Sequence, residues 1–166
     1  MSAAVAAAPS IVRVYWVDQQ LGDDANGLGT EASPFKTLQR AVDATPDGGR
    51  VQAWLSKDYV LDKHINLTGR RLIVAGAAGS GRKLICNEFM PEGDTQLRVG
   101  SFWLSNDSTV QLVNVTVSLP ASSAGELSAY YALVFASGSS APILMQLRMY
   151  NCAFELRGTY RGKLFG

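Results

Sequence analysis

Two eight-residue segments of this chain match each other position by position. Residues 112–119 read Leu-Val-Asn-Val-Thr-Val-Ser-Leu, and residues 149–156 read Met-Tyr-Asn-Cys-Ala-Phe-Glu-Leu. Apolar residues align with apolar residues, and Asn114 aligns with Asn151. Self-similarity of this kind is typical of proteins that stack one structural repeat on the next. The pattern favours a solenoid, although the strands of a β-sandwich can also resemble one another.

Short apolar runs make up most of the chain beyond residue 50, and Gly, Ser, Asn and Asp separate them. Many short runs of this kind predict an all-β fold, as a sandwich, a barrel or a solenoid. The run around Leu133 lies roughly midway between the two matching segments, where an intervening rung would fall. An earlier strand is predicted over residues 11–18, which are rich in β-branched and aromatic side chains. The later runs are residues 51–55, 72–75, 83–86, 102–104, 110–117, 132–136 and 147–154.

A single amphipathic helix is predicted between the first strand and the later runs. Ser33 is a suitable N-cap, and Pro34 fits the first helical position because it has no amide hydrogen to lose. Pro and Gly within residues 45–49 end the helix. The first coil of a solenoid exposes a core face and a strand edge, and a helix placed before it would cover them. The apolar stripe of this helix consists of Phe35, Leu38, Ala41 and Val42.

The loop before the helix is rich in Gly, Asp and Asn. Asn26 and Gly27 predict a turn, since both tolerate positive φ. Asp18, Asp23 and Asp24 could supply oxygen ligands of the kind that calcium prefers. The spacing is not that of an EF-hand and no glutamate closes it, so we expect these side chains to bond the backbone instead. No metal site is predicted.

Composition and charge argue against several classes of function. The formal net charge is +1, and Arg70-Arg71 is too sparse a basic cluster to predict nucleic-acid binding. Cys86 and Cys152 each lie in an apolar run, and we expect free thiols. With His64 as the only histidine, the two cysteines cannot complete a zinc site. No run of about 20 apolar residues is present to span a membrane, and no cofactor is implied.

The N-terminal third resembles a known module. Residues 14–18 (Val-Tyr-Trp-Val-Asp) are followed by Gly-Asp-Asp-Ala-Asn-Gly at 22–27, by Ser-Pro-Phe-Lys-Thr-Leu-Gln-Arg-Ala-Val-Asp-Ala at 33–44, and by Gly-Arg-Val-Gln-Ala at 49–53. This order is similar to the opening module of the pectate-lyase-like right-handed parallel β-helix superfamily, which is common in bacteriophage tail fibres and tailspikes. Two features depart from that module. The second aspartate of the loop is missing after Asn26, and Ser-Lys-Asp-Tyr at 56–59 replaces Pro-Gly-Thr-Tyr.

The resemblance implies a right-handed parallel β-helix with a short N-terminal capping helix. On this basis residues 1–10 are a flexible leader, residues 11–48 are the opening strand, loop and capping helix, and residues 49–166 are β-helix rungs. The whole is a single domain, with a fragment of a longer chain as the alternative. The resemblance also implies a homotrimer in the virion, in contact with other tail proteins and with host cell-surface polysaccharide; a protein that is not viral would be extracellular.

Three functions remain open from the sequence. They are a tail-fibre or tailspike module that binds a host glycan, a polysaccharide depolymerase (hydrolase or lyase) acting on capsule or lipopolysaccharide, and a secreted structural β-helix protein. Hydrolysis needs two carboxylates facing one groove, and no closely spaced pair forms a recognisable motif, so no catalytic residue is assigned. The aromatic residues that would stack on sugar rings, or else fill cores and interfaces, are Trp54, Trp103, Tyr130 and Tyr131. The residues with expected structural roles are Asn26, Gly27, Ser33, Pro34, Phe35, Leu38 and the two stacked turn asparagines, Asn114 and Asn151.

Overall fold

The computed structural model of the chain describes residues 12–87, 98–119, 130–136 and 146–156. Within these ranges the chain is mostly strand with one short helix, and every pairing between two strands is parallel. This content of strand and helix confirms the predicted all-β class. The expected leader at residues 1–10 lies outside the described residues.

The strands form three sheets. A five-stranded sheet contains, in spatial order, β1 (Val12–Val17), β2 (Arg50–Leu55), β5 (Arg71–Ala75), β8 (Thr109–Val113) and β11 (Gln146–Tyr150). A four-stranded sheet contains β3 (Tyr59–Leu61), β6 (Lys83–Cys86), β9 (Thr116–Leu119) and β12 (Ala153–Leu156). A three-stranded sheet contains β4 (Ile65–Thr68), β7 (Arg98–Ser105) and β10 (Tyr130–Ala136).

From β2 onward the chain visits the five-, four- and three-stranded sheets in turn, and each return adds a strand beside the previous one. Parallel neighbours usually need a helical crossover of a dozen or more residues. Here strands of the other two sheets make that connection.

The two matching sequence segments occupy equivalent places in this arrangement. Strand β8 pairs with β11 and β9 pairs with β12, so Asn114 and Asn151 lie at equivalent turns. The run around Leu133 is not an intervening rung between the two segments, as the sequence predicted. It forms β10 in the three-stranded sheet, because β8 and β11 are direct neighbours.

Alternate residues of the strands point into one core. In β2 the side chains of Val51, Ala53 and Leu55 are buried, whereas those between them are partly exposed. The register aligns such positions, so that Val51, Leu72 and Val110 form a column of fully buried side chains. Burying an aliphatic side chain of this size contributes about 1.5–3 kcal/mol. The apolar columns therefore stabilise the stacking of successive strands.

The helix α1 (Leu38–Asp43) begins later than the sequence predicted, with Thr37 as its N-cap. Ser33 and Pro34 do not open it, because Phe35 is extended beside β1 and its amide donates to the carbonyl oxygen of Trp16 at 2.9 Å. The carboxylate of Asp24 binds the backbone amides that precede the helix. It accepts hydrogen bonds from the amides of Lys36 and Thr37 at 2.8 and 2.9 Å, and from the Thr37 hydroxyl at 2.6 Å. The predicted apolar stripe is buried throughout: Phe35, Leu38, Ala41 and Val42.

The predicted turn is present, since the Gly27 amide donates to the carbonyl oxygen of Asp23 at 2.9 Å, but neither Asn26 nor Gly27 has a positive φ; the left-handed residue of this loop is Gly29, with φ of 70°. Glycine is nevertheless required at position 27, since a Cβ there would lie 2.2 Å from the carbonyl oxygen of Asp23. The Asn26 side-chain amide donates to the Asp23 carboxylate at 2.9 Å. This bond, together with the amides of Ala25 and Asn26, lowers the pKa of Asp23.

After the helix, the first strands of the three sheets are β2, β3 and β4, and a different group covers the outer side of each. Strand β1 covers β2 in the five-stranded sheet. At β3 the side chain of Gln19 bonds both backbone groups of Val60: Nε2 donates to the carbonyl oxygen at 2.8 Å, and Oε1 accepts from the amide at 2.7 Å. At β4 the side chain of Gln39 bonds Asn66 in the same way, at 3.3 and 2.8 Å. Each glutamine side chain thus makes the two backbone hydrogen bonds that one residue of a neighbouring strand would make.

Candidate functional site

The side chains on the outer face of the five-stranded sheet form columns, because the parallel register places equivalent positions side by side. The first column contains Val12, Arg50, Arg71, Thr109 and Gln146. The second contains Val14, Gln52, Ile73, Gln111 and Arg148. The third contains Trp16, Trp54, Ala75, Val113 and Tyr150.

A groove of about 200 Å³ crosses the first two columns. Its polar lining, which defines what we call the arginine groove, is Arg50, Arg71, Thr109, Gln111, Gln146 and Arg148. Neighbouring strands lie about 4.8 Å apart, so the groove runs roughly 14 Å from β2 to β11. It is a shallow surface feature with hydrogen-bond donors along its whole length.

The arginine groove carries positive charge that the described part of the chain does not neutralise. Arg50 and Arg71 are paired positions on adjacent strands, where like charges are destabilising. Among the described residues no ion pair involves Arg50, Arg71 or Arg148. The Nε atom of Arg50 is buried and has no hydrogen-bond partner within those residues. Arg148 is held in place by Gln146, whose Oε1 accepts from Nε and from a terminal guanidinium nitrogen at 3.0 and 2.7 Å.

Aromatic side chains lie beside the groove, in the third column. Trp16 and Trp54 are stacked, with ring centroids 6.1 Å apart and planes at 27°. Tyr150, at the far end of the column, is 51% exposed. The smaller side chains of Ala75 and Val113 lie between the aromatic residues. The column therefore has aromatic rings at its two ends, which we call the aromatic border of the charged groove, and it contains Trp54, one of the predicted sugar-stacking residues.

The other predicted aromatic residues lie on a different sheet. Trp103 belongs to β7 and stacks on His64, with centroids 4.8 Å apart and planes at 22°. Burial lowers the pKa of His64. Tyr130 and Tyr131 begin β10 in the same three-stranded sheet, and their side chains lie outside the description. The structure therefore does not bring the four predicted residues together around Trp54.

The turn asparagines form a second, neutral surface feature. Asn114 and Asn151 have φ of 54° and 50°, and Nδ2 of Asn151 donates to Oδ1 of Asn114 at 2.9 Å. This bond joins the two side chains directly. An open groove of about 300 Å³ lies between these turns and the loop that contains Gly79 and Gly81. It has no charged lining residue in the described part of the chain.

The loop aspartates are occupied by structural contacts. Each accepts hydrogen bonds from backbone amides, which favours the structural interpretation over a calcium loop: Asp18, Asp23 and Asp24. No group of three or more His, Cys, Asp or Glu side chains in the described ranges is placed to hold a metal ion. Among carboxylates elsewhere, Asp58 accepts the Lys83 amide at 2.9 Å, and Glu155 pairs with the Lys83 ammonium at 2.8 Å. Glu155 and Asp58 raise the pKa of Lys83.

The sequence did not predict the arginine groove. Arg50, Arg71 and Arg148 are far apart in the chain, and only the strand register brings them to one surface. The signal that could have identified them is their outward position at or near the start of strands in one sheet, which requires knowledge of the register. Within the described residues, no helix is long and apolar enough to cross a membrane. The chain matches no protein-family model, no curated protein and no solved structure, so its function must be argued from this geometry.

Proposed function

We propose that this chain is a right-handed parallel β-helix module of a phage tail fibre or tailspike, and that it binds a host cell-surface glycan on the outer face of its five-stranded sheet. The observation that carries the proposal is the arginine groove with its aromatic border. Binding, rather than catalysis, is the function that this surface supports best.

The strand topology supports the β-helix part of the proposal. Three parallel sheets are visited in a fixed order, and each revolution adds one strand to each sheet. Connections between parallel strands are right-handed in about 98% of cases. The bonded Asn114–Asn151 pair repeats the same turn in successive revolutions, as stacked coils require. The Gln19 and Gln39 contacts protect the first edges, which a stacked fold must cover.

The composition of the outer face supports glycan binding. Sugars present hydroxyl groups at their edges and apolar C–H faces, so their sites combine polar side chains with aromatic rings. The arginine groove offers guanidinium, amide and hydroxyl groups, and the stacked Trp16 and Trp54 offer a ring surface within the same sheet. Stacked repeats present extended surfaces of this kind because the core needs only the inward residues.

The proposal includes a homotrimer within the virion that also contacts other tail proteins, or an extracellular location if the protein is not viral. Incomplete burial at the last described strands supports association. Phe154 is 45% exposed, although its register partner Val117 is fully buried. Leu147 and Met149 occupy core positions and are only partly buried. A further coil or a neighbouring subunit would cover these side chains.

The depolymerase alternative has less support. Glycoside hydrolysis commonly uses two carboxylates roughly 5–10 Å apart. Among the described residues that line the arginine groove, none is a carboxylate. A purely structural secreted protein does not account for charged side chains collected on one face.

Binding of the purified chain to immobilised capsular polysaccharide and lipopolysaccharide, measured by biolayer interferometry, tests the proposal. Trp54→Ala is expected to weaken binding about two- to thirteenfold, since aromatic contacts contribute about 0.5–1.5 kcal/mol. Trp103→Ala is the control, because this tryptophan lies on another sheet. Loss of binding in the Trp103 variant alone, or no binding by the wild type, would contradict the proposal.

A further inference from the structure

We propose that the glycan held in the arginine groove is acidic, and that Arg50 and Arg71 together bind its carboxylate or phosphate group. This inference rests on the proposed function, since it assigns a chemical class of ligand to the same groove. It is drawn from the charge and register of the groove, not from its shape.

The positive charge of one arginine pair is not compensated by the described part of the chain. Arg50 and Arg71 occupy paired positions on β2 and β5, and no carboxylate of the described chain forms an ion pair with them. By contrast Arg70, which directly precedes Arg71 in the chain, pairs with Asp47 at 2.6 Å. Local rules of stability are broken most often at functional sites. A bound anion would remove the repulsion between Arg50 and Arg71.

Guanidinium groups match oxyanions in geometry as well as in charge. Arg50 and Arg71 lie on adjacent strands, whose backbones are about 4.8 Å apart. Each guanidinium group presents a planar fork of N–H donors. Carboxylate and phosphate accept such forks with two parallel hydrogen bonds. Arg50 is partly buried, and its Nε is buried without a hydrogen-bond partner among the described residues. Because less water screens its charge, Arg50 attracts an anion more strongly than a fully exposed arginine would.

Charged and neutral side chains follow a definite order along the groove. The arginine pair lies at the β2–β5 end, and Arg148 lies on β11 at the other end. Thr109 and Gln111 on β8 lie between them and are neutral. This order suits a glycan with acidic groups at intervals and hydroxyl groups between them. A nucleic acid, which carries a phosphate on every residue, would need a longer basic surface than this chain with net charge +1 offers.

The test uses three probes and the intact chain. The probes are an oligosaccharide containing glucuronate, the same oligosaccharide with its carboxyl groups reduced to alcohols, and a glycerol-phosphate polymer. We expect the wild type to bind one or both acidic probes at least about tenfold more tightly than the reduced one, and to lose this preference at high salt. The glucuronate and phosphate arms show which oxyanion is bound.

Arg71→Gln should abolish the preference for acidic probes, because it removes one of the two guanidinium groups that bind the oxyanion. Arg71→Lys should restore only part of it, because an ammonium group cannot form the bidentate contact. Arg13→Gln is the matched control: it removes one positive charge from an exposed residue of β1 in the same sheet, away from the groove. Thermal unfolding checks folding, and Arg71→Gln should leave Tm unchanged or raise it slightly by relieving the arginine pair. Arg148→Gln is the second variant if Arg71→Gln does not fold.

The outcomes separate the two proposals. Equal wild-type binding to the acidic and reduced probes would overturn this inference and leave glycan binding intact. Binding to none of the probes would contradict both. An equal loss in Arg13→Gln, or tighter binding of a single-stranded oligonucleotide than of any glycan, would show that the surface attracts polyanions without a defined site, and would also overturn the inference.

Discussion

The glutamine that covers the first strand of the four-stranded sheet leads to a quantitative prediction. Gln19 makes two hydrogen bonds to the backbone of Val60, at 2.8 and 2.7 Å. A protein hydrogen bond contributes about 1 kcal/mol net, so Gln19→Ala should lower the free energy of unfolding by about 2 kcal/mol. For a domain of this size that corresponds to a fall in Tm of about 4–8 °C.

Two variants sharpen the prediction. Gln19→Glu keeps the shape and can accept from the Val60 amide, but its second oxygen would face the Val60 carbonyl oxygen, so it should destabilise at least as much as alanine. Gln20→Ala is the control, since the exposed side chain of Gln20 bonds only Lys57, at 2.9 Å, and such surface changes usually stay within about 0.5 kcal/mol. Gln39→Ala should lower the free energy of unfolding by less than Gln19→Ala does. The bond from Gln39 Nε2 to the Asn66 carbonyl oxygen is longer, at 3.3 Å, and alanine has a higher helix propensity than glutamine.

Urea unfolding monitored by circular dichroism, with thermal unfolding alongside, measures these differences. The slope of the urea transition should be unchanged, since the same surface is exposed on unfolding. If Gln19→Ala loses no more stability than Gln20→Ala, then the side-chain amide does not act as a substitute strand and the reasoning is refuted.

Three further predictions follow from the core, the loop and the histidine. Leu112→Ala should cost about 2–5 kcal/mol by urea unfolding, because this fully buried side chain would leave a cavity; a loss below 1 kcal/mol would contradict the described packing. Asp24→Ala should lower the free energy of unfolding by about 2–3 kcal/mol, since it removes three hydrogen bonds at the start of the helix. A calcium chelator should leave the wild-type Tm unchanged, and a Tm that falls with chelator would favour the calcium loop. Burial places the pKa of His64 below its ordinary value of 6.5, so the unfolded chain takes up this proton first as pH falls, and stability should decline below about pH 6.5. His64→Gln should lessen that decline relative to wild type and leave the pH dependence of stability above pH 7 unchanged; identical pH profiles would contradict the assignment.

Strand positions were largely predictable from the sequence, because apolar runs bounded by turn residues report burial directly. Two strands, β3 and β4, were missed: Tyr59–Leu61 has only three residues, and in Ile65–Thr68 each buried apolar residue is followed by an exposed polar one, so no apolar run marks it. The run at residues 110–117 was predicted as one unit but is divided in two. The left-handed conformation of Asn114 breaks it, with φ of 54°.

The candidate site was not predictable from the sequence in the same way. Its residues point outward, so no hydrophobic pattern marks them, and their proximity depends on which residue pairs with which across strands. The pairing of Arg50 with Arg71 follows from the parallel register, not from chain distance. The roles of Gln19 and Gln39 were missed for the same reason, since a polar residue on a loop or helix surface shows no sign of the strand edge that it covers.

A crystal structure of the chain with a bound acidic oligosaccharide tests the central claim most directly. The account predicts that a carboxylate or phosphate group lies within hydrogen-bond distance, about 3 Å, of the guanidinium groups of Arg50 and Arg71, with a sugar ring near Trp54. An oligosaccharide bound instead between the turns of Asn114 and Asn151, or against Trp103 on the three-stranded sheet, would contradict it.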